Sequence, residues 1–150
     1  MTVTIEPMRV QDLEEVIEIE QSSFATPWSR DSFLYELLEN HRAIYLVARD
    51  DFRKVVGYIG MWVVFDEGHI TNLAAHPVFR HRGVGRALLD GLTEVARQHG
   101  VKYLTLEVRR SNYPAQELYQ KSGFVHMGVR RKYYLDNNED ALIMWKGPIG

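Results

Sequence analysis

The chain has 150 residues, a formal net charge of −2, and is 45% hydrophobic, 25% charged and 11% aromatic. That balance fits one soluble globular domain, residues 1–150, and excludes a disordered chain; no apolar run approaches the roughly 20 residues that span a bilayer. The absence of cysteine excludes disulfides, thiolate metal sites and covalent chemistry through a protein sulfur.

Val3–Met8 alternates like a short strand. Gln11–Gln21 reads as a helix, with Leu13, Val16, Ile17 and Phe24 at helical spacing. Pro27-Trp28-Ser29 breaks the chain, and Ser29 is placed to cap a second helix, Arg30–Glu39, with Phe33, Leu34, Leu37 and Leu38 on one stripe. Ala43–Ala48, Val55–Phe65 and His69–Ala75 then read as an antiparallel meander with turns at Asp50–Lys54 and Asp66-Glu67-Gly68. A glycine-containing loop opens a long helix, Gly83–His99, which Gly100 stops. Tyr103–Val108 is a strand, Asn112 and Pro114 start a helix ending near Ser122-Gly123, and Phe124–Tyr134 and Ala141–Lys146 close as two strands. The order β-α-α-β-β-β-α-β-α-β-β predicts a mixed α/β fold: one mostly antiparallel sheet with helices on both faces.

Net charge conceals an asymmetry. Residues 1–75 hold 6 Lys+Arg against 13 Asp+Glu, a balance of −7, and residues 76–150 hold 12 against 7, a balance of +5. Two differently charged ligands, or simply two solvated faces, account for such a split. The first residues, Met1-Thr2-Val3-Thr4-Ile5-Glu6, lack the basic-then-apolar pattern of a secretory signal, so a cytoplasmic protein is expected.

Three clusters have chemical potential. Arg80-His81-Arg82-Gly83-Val84-Gly85-Arg86 lies between a strand and a long helix. Glycines let a backbone approach a ligand closely, and the first N–H groups of a helix attract an anion such as pyrophosphate. A flexible basic loop is the plainer reading. Neither a P-loop nor a dinucleotide fingerprint fits, because Gly-Lys-Ser/Thr is absent and the third glycine position is Leu88. Glu107 alternates with Leu106 and Val108, so it faces away from them with Tyr103 and Thr105, either exposed near a strand end or held for a task. Asn112 suits a helix cap, and Tyr119 suits a packed tyrosine with a satisfied hydroxyl. The six histidines form no metal-ligand pattern, so no metal is expected.

Together these segments resemble the GNAT superfamily of N-acetyltransferases and, within it, the RimI family, which acetylates protein N-terminal amino groups. The similarity covers nearly the whole chain and is most specific from His69 to Trp145. Arg80-His81-Arg82-Gly83-Val84-Gly85 matches the loop that binds the pyrophosphate of acetyl-CoA, and Leu106-Glu107-Val108-Arg109-Arg110-Ser111-Asn112 with Leu118-Tyr119 and Gly123-Phe124 matches the acetyltransferase stretch that follows. The resemblance implies acetyl-CoA as cosubstrate, held by Leu73, Ala74, Ala75, His81, Arg82, Gly83, Val84, Gly85, Arg86 and Asn112. It implies Glu107 as proton acceptor and Tyr119 as proton donor. It also puts Phe24 and Trp28, in the loop between the first two helices, and Tyr133 and Tyr134, in a loop between the last strands, beside the acceptor. Ala75 departs from the branched residue usual there, and Tyr113-Pro114 from the usual small residues.

The function so implied is acetylation of a protein N-terminus, foremost the N-terminal alanine of small-subunit ribosomal protein eighteen, with no direct nucleic-acid or membrane partner and no indication of oligomeric state. Broad N-terminal acetylation, lysine or small-amine acetylation, and a non-catalytic CoA-binding interaction module are the alternatives. Glu107 and Tyr119 together argue against the last. A small first acceptor residue is expected, followed by a basic or aromatic segment drawn by the acidic N-terminal half and by Asp136, Glu139 and Asp140.

Overall fold

The computed structural model describes residues 2–150. In chain order it runs β1 (Thr4–Pro7), α1 (Leu13–Ser23), α2 (Arg30–Leu38), β2 (Ala43–Arg49), β3 (Val55–Val64), β4 (Glu67–Ala75), α3 (Val84–Gln98), β5 (Tyr103–Arg109), α4 (Tyr113–Lys121), β6 (Val125–Tyr134) and β7 (Glu139–Lys146). Short 3-10 turns at Val10–Asp12 and Pro77–Phe79 precede α1 and α3. The predicted order is therefore found, with two local differences. The first turn of the predicted Gln11–Gln21 helix is 3-10, so α1 proper begins at Leu13 and continues to Ser23. In α2, Leu38 is exposed while Glu36 is buried beside Phe33, so its inward face is not the all-apolar stripe expected.

The strands form one sheet in the order β1-β2-β3-β4-β5-β7-β6. Every neighbouring pair is antiparallel except β4 and β5. Alternation along each strand sends side chains to two cores. On β2, Leu46 and Ala48 join the core under α3 and α4, which holds Leu88, Leu92, Leu104, Leu106 and Tyr119. Tyr45 and Val47 join the core under α1 and α2, with Leu13, Val16, Phe33 and Tyr58.

Two features of this frame shape the site. The parallel pairing of β4 with β5 covers only Glu67–His69 against Tyr103–Thr105, although β4 continues to Ala75 and β5 to Arg109. The two strands part, and the sheet opens in its middle. Gly57 on β3 lets α3 start close against the sheet: a Cβ there would stand 2.7 Å from Val84 Cγ1 and 3.0 Å from the Ala74 carbonyl oxygen. Among the described residues, no helix is long and apolar enough to cross a membrane.

Candidate active site

A cleft of about 480 Å³ opens beside the end of β4. Leu73, Ala74 and Ala75 of β4 line one wall, and Asn112, Pro114, Ala115, Leu118 and Tyr119, on α4 and its cap, line the other. His81, Gly83, Val84, Gly85 and Arg86 close one end, and Phe24 reaches in from the loop after α1. The fold thus assembles most of the residues singled out in the sequence, although Phe24 and Tyr119 lie 95 positions apart.

The loop before α3 is shaped for close backbone approach. Gly83 has φ of 84° and His81 has φ of 63°, both left-handed, and the added Cβ at Gly83 would meet nothing within 4 Å. The N–H groups of Val84, Gly85 and Arg86 stand at the first turn of a 15-residue helix, where no helical carbonyl precedes them. Their dipoles and the nearby arginines favour a polyanion. Arg82 lies over the Phe79 ring at 5.7 Å, outside the residues lining the cleft. Arg80 lines it instead, donating Nε to the Ala75 carbonyl at 3.2 Å and Nη2 to Ser23 Oγ at 3.0 Å. Arg80 thereby fixes the loop to the end of β4 and to α1. Its presence in the basic heptad was the only sequence signal for this role.

Asn112 caps α4, its Oδ1 accepting from the Ala115 N–H at 3.2 Å, and it also lines the cleft. Tyr119, on the same helix, is buried with its ring edge-on to Phe124 at 5.7 Å. Burial pushes its phenol well above the usual range, so it stays protonated.

Glu107 lies on β5 beyond the last residue paired with β4. Its side chain is only 11% exposed, which excludes the solvated strand end. Oε2 lies 2.6 Å from His69 Nε2, and Oε1 accepts from Arg130 Nε at 3.3 Å. Burial pushes the Glu107 carboxyl up, but the hydrogen bond and charge of His69 and the charge of Arg130 outweigh it and hold the group below the ordinary carboxylate value. His69 and Arg130 are partners that sequence reasoning missed. Alternation places His69 on the same face as Thr105, its Cα partner, yet only strand register reveals that contact.

The aromatic pair predicted in a loop belongs to β6, which runs through Tyr133 and Tyr134. The strand is irregular there: Lys132 has φ of 52°, its N–H bonds to Asp140 Oδ1 at 2.9 Å, and regular pairing resumes at Tyr134 with Glu139. Tyr134 is held between the Tyr133 ring at 5.0 Å and the Arg109 guanidinium at 4.0 Å. Its hydroxyl, pushed up to about 12 by burial and by Tyr133, lies within electrostatic reach of Glu107, as Tyr133 does. Trp28 packs against Phe33 at 5.3 Å and Tyr45 at 6.5 Å, and its backbone N–H donates to Glu20 at 2.8 Å.

One electrostatic expectation is corrected. Asp136, Glu139 and Asp140 do not present a free acidic surface. Asp136 and Glu139 pair with Arg109 at 2.9 and 3.3 Å, and Asp140 pairs with Arg110 at 3.3 Å. Their charge is spent on holding the β6–β7 turn against β5 and its following loop.

Comparison with known proteins gives concordant results. Residues 13–124 match the acetyltransferase (GNAT) family. A Bacillus subtilis relative, provisionally named a ribosomal protein bS18-alanine N-acetyltransferase, is 49% identical over 92% of this chain and 91% of its own length. The ribosomal protein bS18-alanine N-acetyltransferase of Escherichia coli strain K12 is 37% identical over 94% of this chain and 95% of its own. A crystal structure of the ribosomal-protein-S18-alanine N-acetyltransferase from Escherichia coli superposes with a TM-score of 0.89 at 34% identity, covering 99% of this chain and 96% of that one.

Proposed function

The chain belongs to the acetyltransferase (GNAT) family, and from that premise we propose that it transfers the acetyl group of acetyl-CoA to the N-terminal α-amino group of a protein, foremost the alanine of ribosomal protein bS18. The observation that carries this reading is the cleft walled by β4 and α4, which gathers Tyr119 and the left-handed loop at the start of α3, with the carboxylate of Glu107 held by His69 and Arg130 on the neighbouring strand β5. A cytoplasmic setting goes with a ribosomal acceptor.

The residues present fit acetyl-CoA. The cleft is long enough to be walled by β4 on one side and α4 on the other, and the left-handed loop leaves the first N–H groups of α3 directed at its end. His81, Gly83, Val84, Gly85 and Arg86 would hold the pyrophosphate, and Leu73, Ala74 and Ala75 the narrower arm behind it. The cosubstrate supplies an acetyl thioester, and everything else falls to protein groups.

A protein α-amino group titrates near 8, so roughly a tenth is neutral at pH 7, far more than of a lysine near 10.4. Glu107 is too weak a base to strip an ammonium outright, since even an ordinary glutamate near 4.3 falls almost 4 units short, about 5 kcal/mol. Its task is to accept a hydrogen bond from the neutral amine, directly or through one water. It then takes a proton once bond formation makes the nitrogen positive and acidic. A backbone N–H of Leu73–Ala75 can stabilise the carbonyl oxygen. Tyr119 holds its proton too firmly to surrender it fully to a thiolate that titrates near 8.5, so it serves the leaving sulfur as a hydrogen-bond donor.

The test is mass spectrometry of peptides incubated with acetyl-CoA. Peptides beginning with alanine should gain one acetyl group on the α-nitrogen, peptides beginning with leucine should react poorly, and α-blocked peptides with a free lysine should stay unmodified. Equal modification of the blocked lysine peptides would overturn the reading.

A further inference from the structure

On the α1–α2 side of the sheet, outside the cleft, lies a second, open concavity of about 390 Å³. Trp28, Asp31, Ser32, Tyr35, Glu36 and Trp62 line it. Its floor is unusual. Glu36 is 6% exposed, yet all its hydrogen bonds come from neutral donors: Trp62 Nε1 at 3.1 and 3.2 Å, and Asn40 Nδ2 at 2.6 Å. Among the described residues no Lys, Arg or His forms an ion pair with it. A buried carboxylate with donors but no countercharge is costly unless a cation arrives. The two indoles and the Tyr35 ring offer aromatic faces, which also attract a cation, and exposed Asp31 adds a second negative charge at the rim.

The concavity adjoins the reacting centre. The Trp62 ring meets the His69 ring edge-on at 6.4 Å, and His69 meets Glu107 at 2.6 Å. One imidazole and one indole therefore separate the carboxylate assigned to the acceptor amine from the carboxylate of Glu36. A peptide advances about 3.8 Å per Cα step, so the side chain of the second acceptor residue starts one such step beyond the residue that bears the amine.

We infer that this concavity is a subsite for the basic side chain, arginine in particular, that follows the first residue of the acceptor. The inference rests on the N-terminal acetylation proposed above and supplies its sequence preference. A guanidinium can stack on an aromatic ring and donate to Glu36, which accepts three hydrogen bonds from Trp62 and Asn40 where a carboxylate offers about four lone-pair sites. The acidic contribution to acceptor choice comes from here, since the β6–β7 carboxylates are already paired with arginines.

The experiment compares two acceptor peptides identical except for Arg or Gln at the second residue, in wild type, Glu36→Gln and Trp62→Phe. Wild type should favour the Arg peptide by roughly tenfold in kcat/KM, mainly through KM, with a ratio that shrinks as salt rises. Glu36→Gln should bring the ratio close to one, and Trp62→Phe should reduce it about threefold. Thermal melts establish that each variant is folded. If Glu36→Gln does not fold, Asp31→Asn joins Trp62→Phe, and both must lower the ratio. A wild-type ratio near one, or an unchanged ratio in folded variants, would overturn the subsite while acetylation of both peptides left the proposed reaction standing. No acetylation of either peptide would instead remove the proposed reaction and this subsite with it.

Discussion

In the reaction proposed here Glu107 and Tyr119 make opposite demands on their surroundings, and each is met by a different device. In the proposed reaction the carboxylate stays ionised although little exposed, because the contacts to His69 and Arg130 outweigh the desolvation. The phenol must stay protonated, and burial alone secures that. Below pH 8 the rate should follow the neutral fraction of the amine, because Glu107 remains charged across that range. Glu107→Gln should therefore lower kcat/KM by roughly 10²–10⁴-fold with a pH profile parallel to wild type, since both follow the same amine titration, and full activity in the folded variant would contradict the assignment. Tyr119→Phe should lower kcat by a similar order while calorimetry shows CoA affinity nearly intact, since the ring and its packing on Phe124 are kept.

The splayed strands and the helix that starts beside them form one mechanical unit. Pairing of β4 with β5 ends at His69 with Thr105, Leu73–Ala75 of β4 beyond it line the cleft, and the first residues of α3, Val84, Gly85 and Arg86, line it too. The position of that helix start depends on Gly57. Gly57→Ala would press a methyl to within 3.0 Å of Val84, Leu88 and the Ala74 carbonyl at once, and rigid backbone contributes one of those contacts. We expect a loss of about 1–3 kcal/mol in stability by denaturant unfolding, together with weaker CoA binding by calorimetry because the α3 start is displaced. Loss of stability with unchanged CoA affinity would separate the helix start from the binding loop.

Across the whole molecule, charge is used to tie distant segments together as much as to attract ligands. Arg49 joins Glu6 of β1 at 3.1 Å and Asp12 before α1 at 2.8 Å, and Glu139 accepts from the Ser111 N–H at 2.7 Å. The Arg53 hydrogen bond holds Glu6 down to about 2, and the Ser111 hydrogen bonds hold Glu139 there too. Each carboxyl binds a proton less readily in the folded protein than in the unfolded chain, where it titrates near 4.3. Their contribution is complete above that value and drains away as pH falls through about 2. Urea midpoints should accordingly fall between pH 4.5 and 2, and Glu6→Gln should flatten that decline. A variant whose midpoint falls as steeply as wild type would place the acid sensitivity elsewhere.

The sequence by itself determined the order of elements and the loop chemistry. Hydrophobic period, Ser29 and Asn112 as caps, and glycine at the left-handed entry to α3 are local signals, and each acts over a few residues. The family resemblance likewise singled out Glu107 and Tyr119, and Leu73, Gly83, Asn112 and Tyr119 line one cleft while Glu107 lies outside its lining. What the tertiary structure decided is which charges meet. That His69 and Arg130 flank Glu107, that Arg109 and Arg110 consume the acidic residues of the β6–β7 turn, and that Glu36 lies under Trp62 without a countercharge depend on strand register and on the parting of β4 from β5. A carboxylate reads the same in a sequence whether solvated, paired or buried. Coulomb energy and desolvation depend on separation in space, which hydrogen-bonded register sets between residues tens of positions apart.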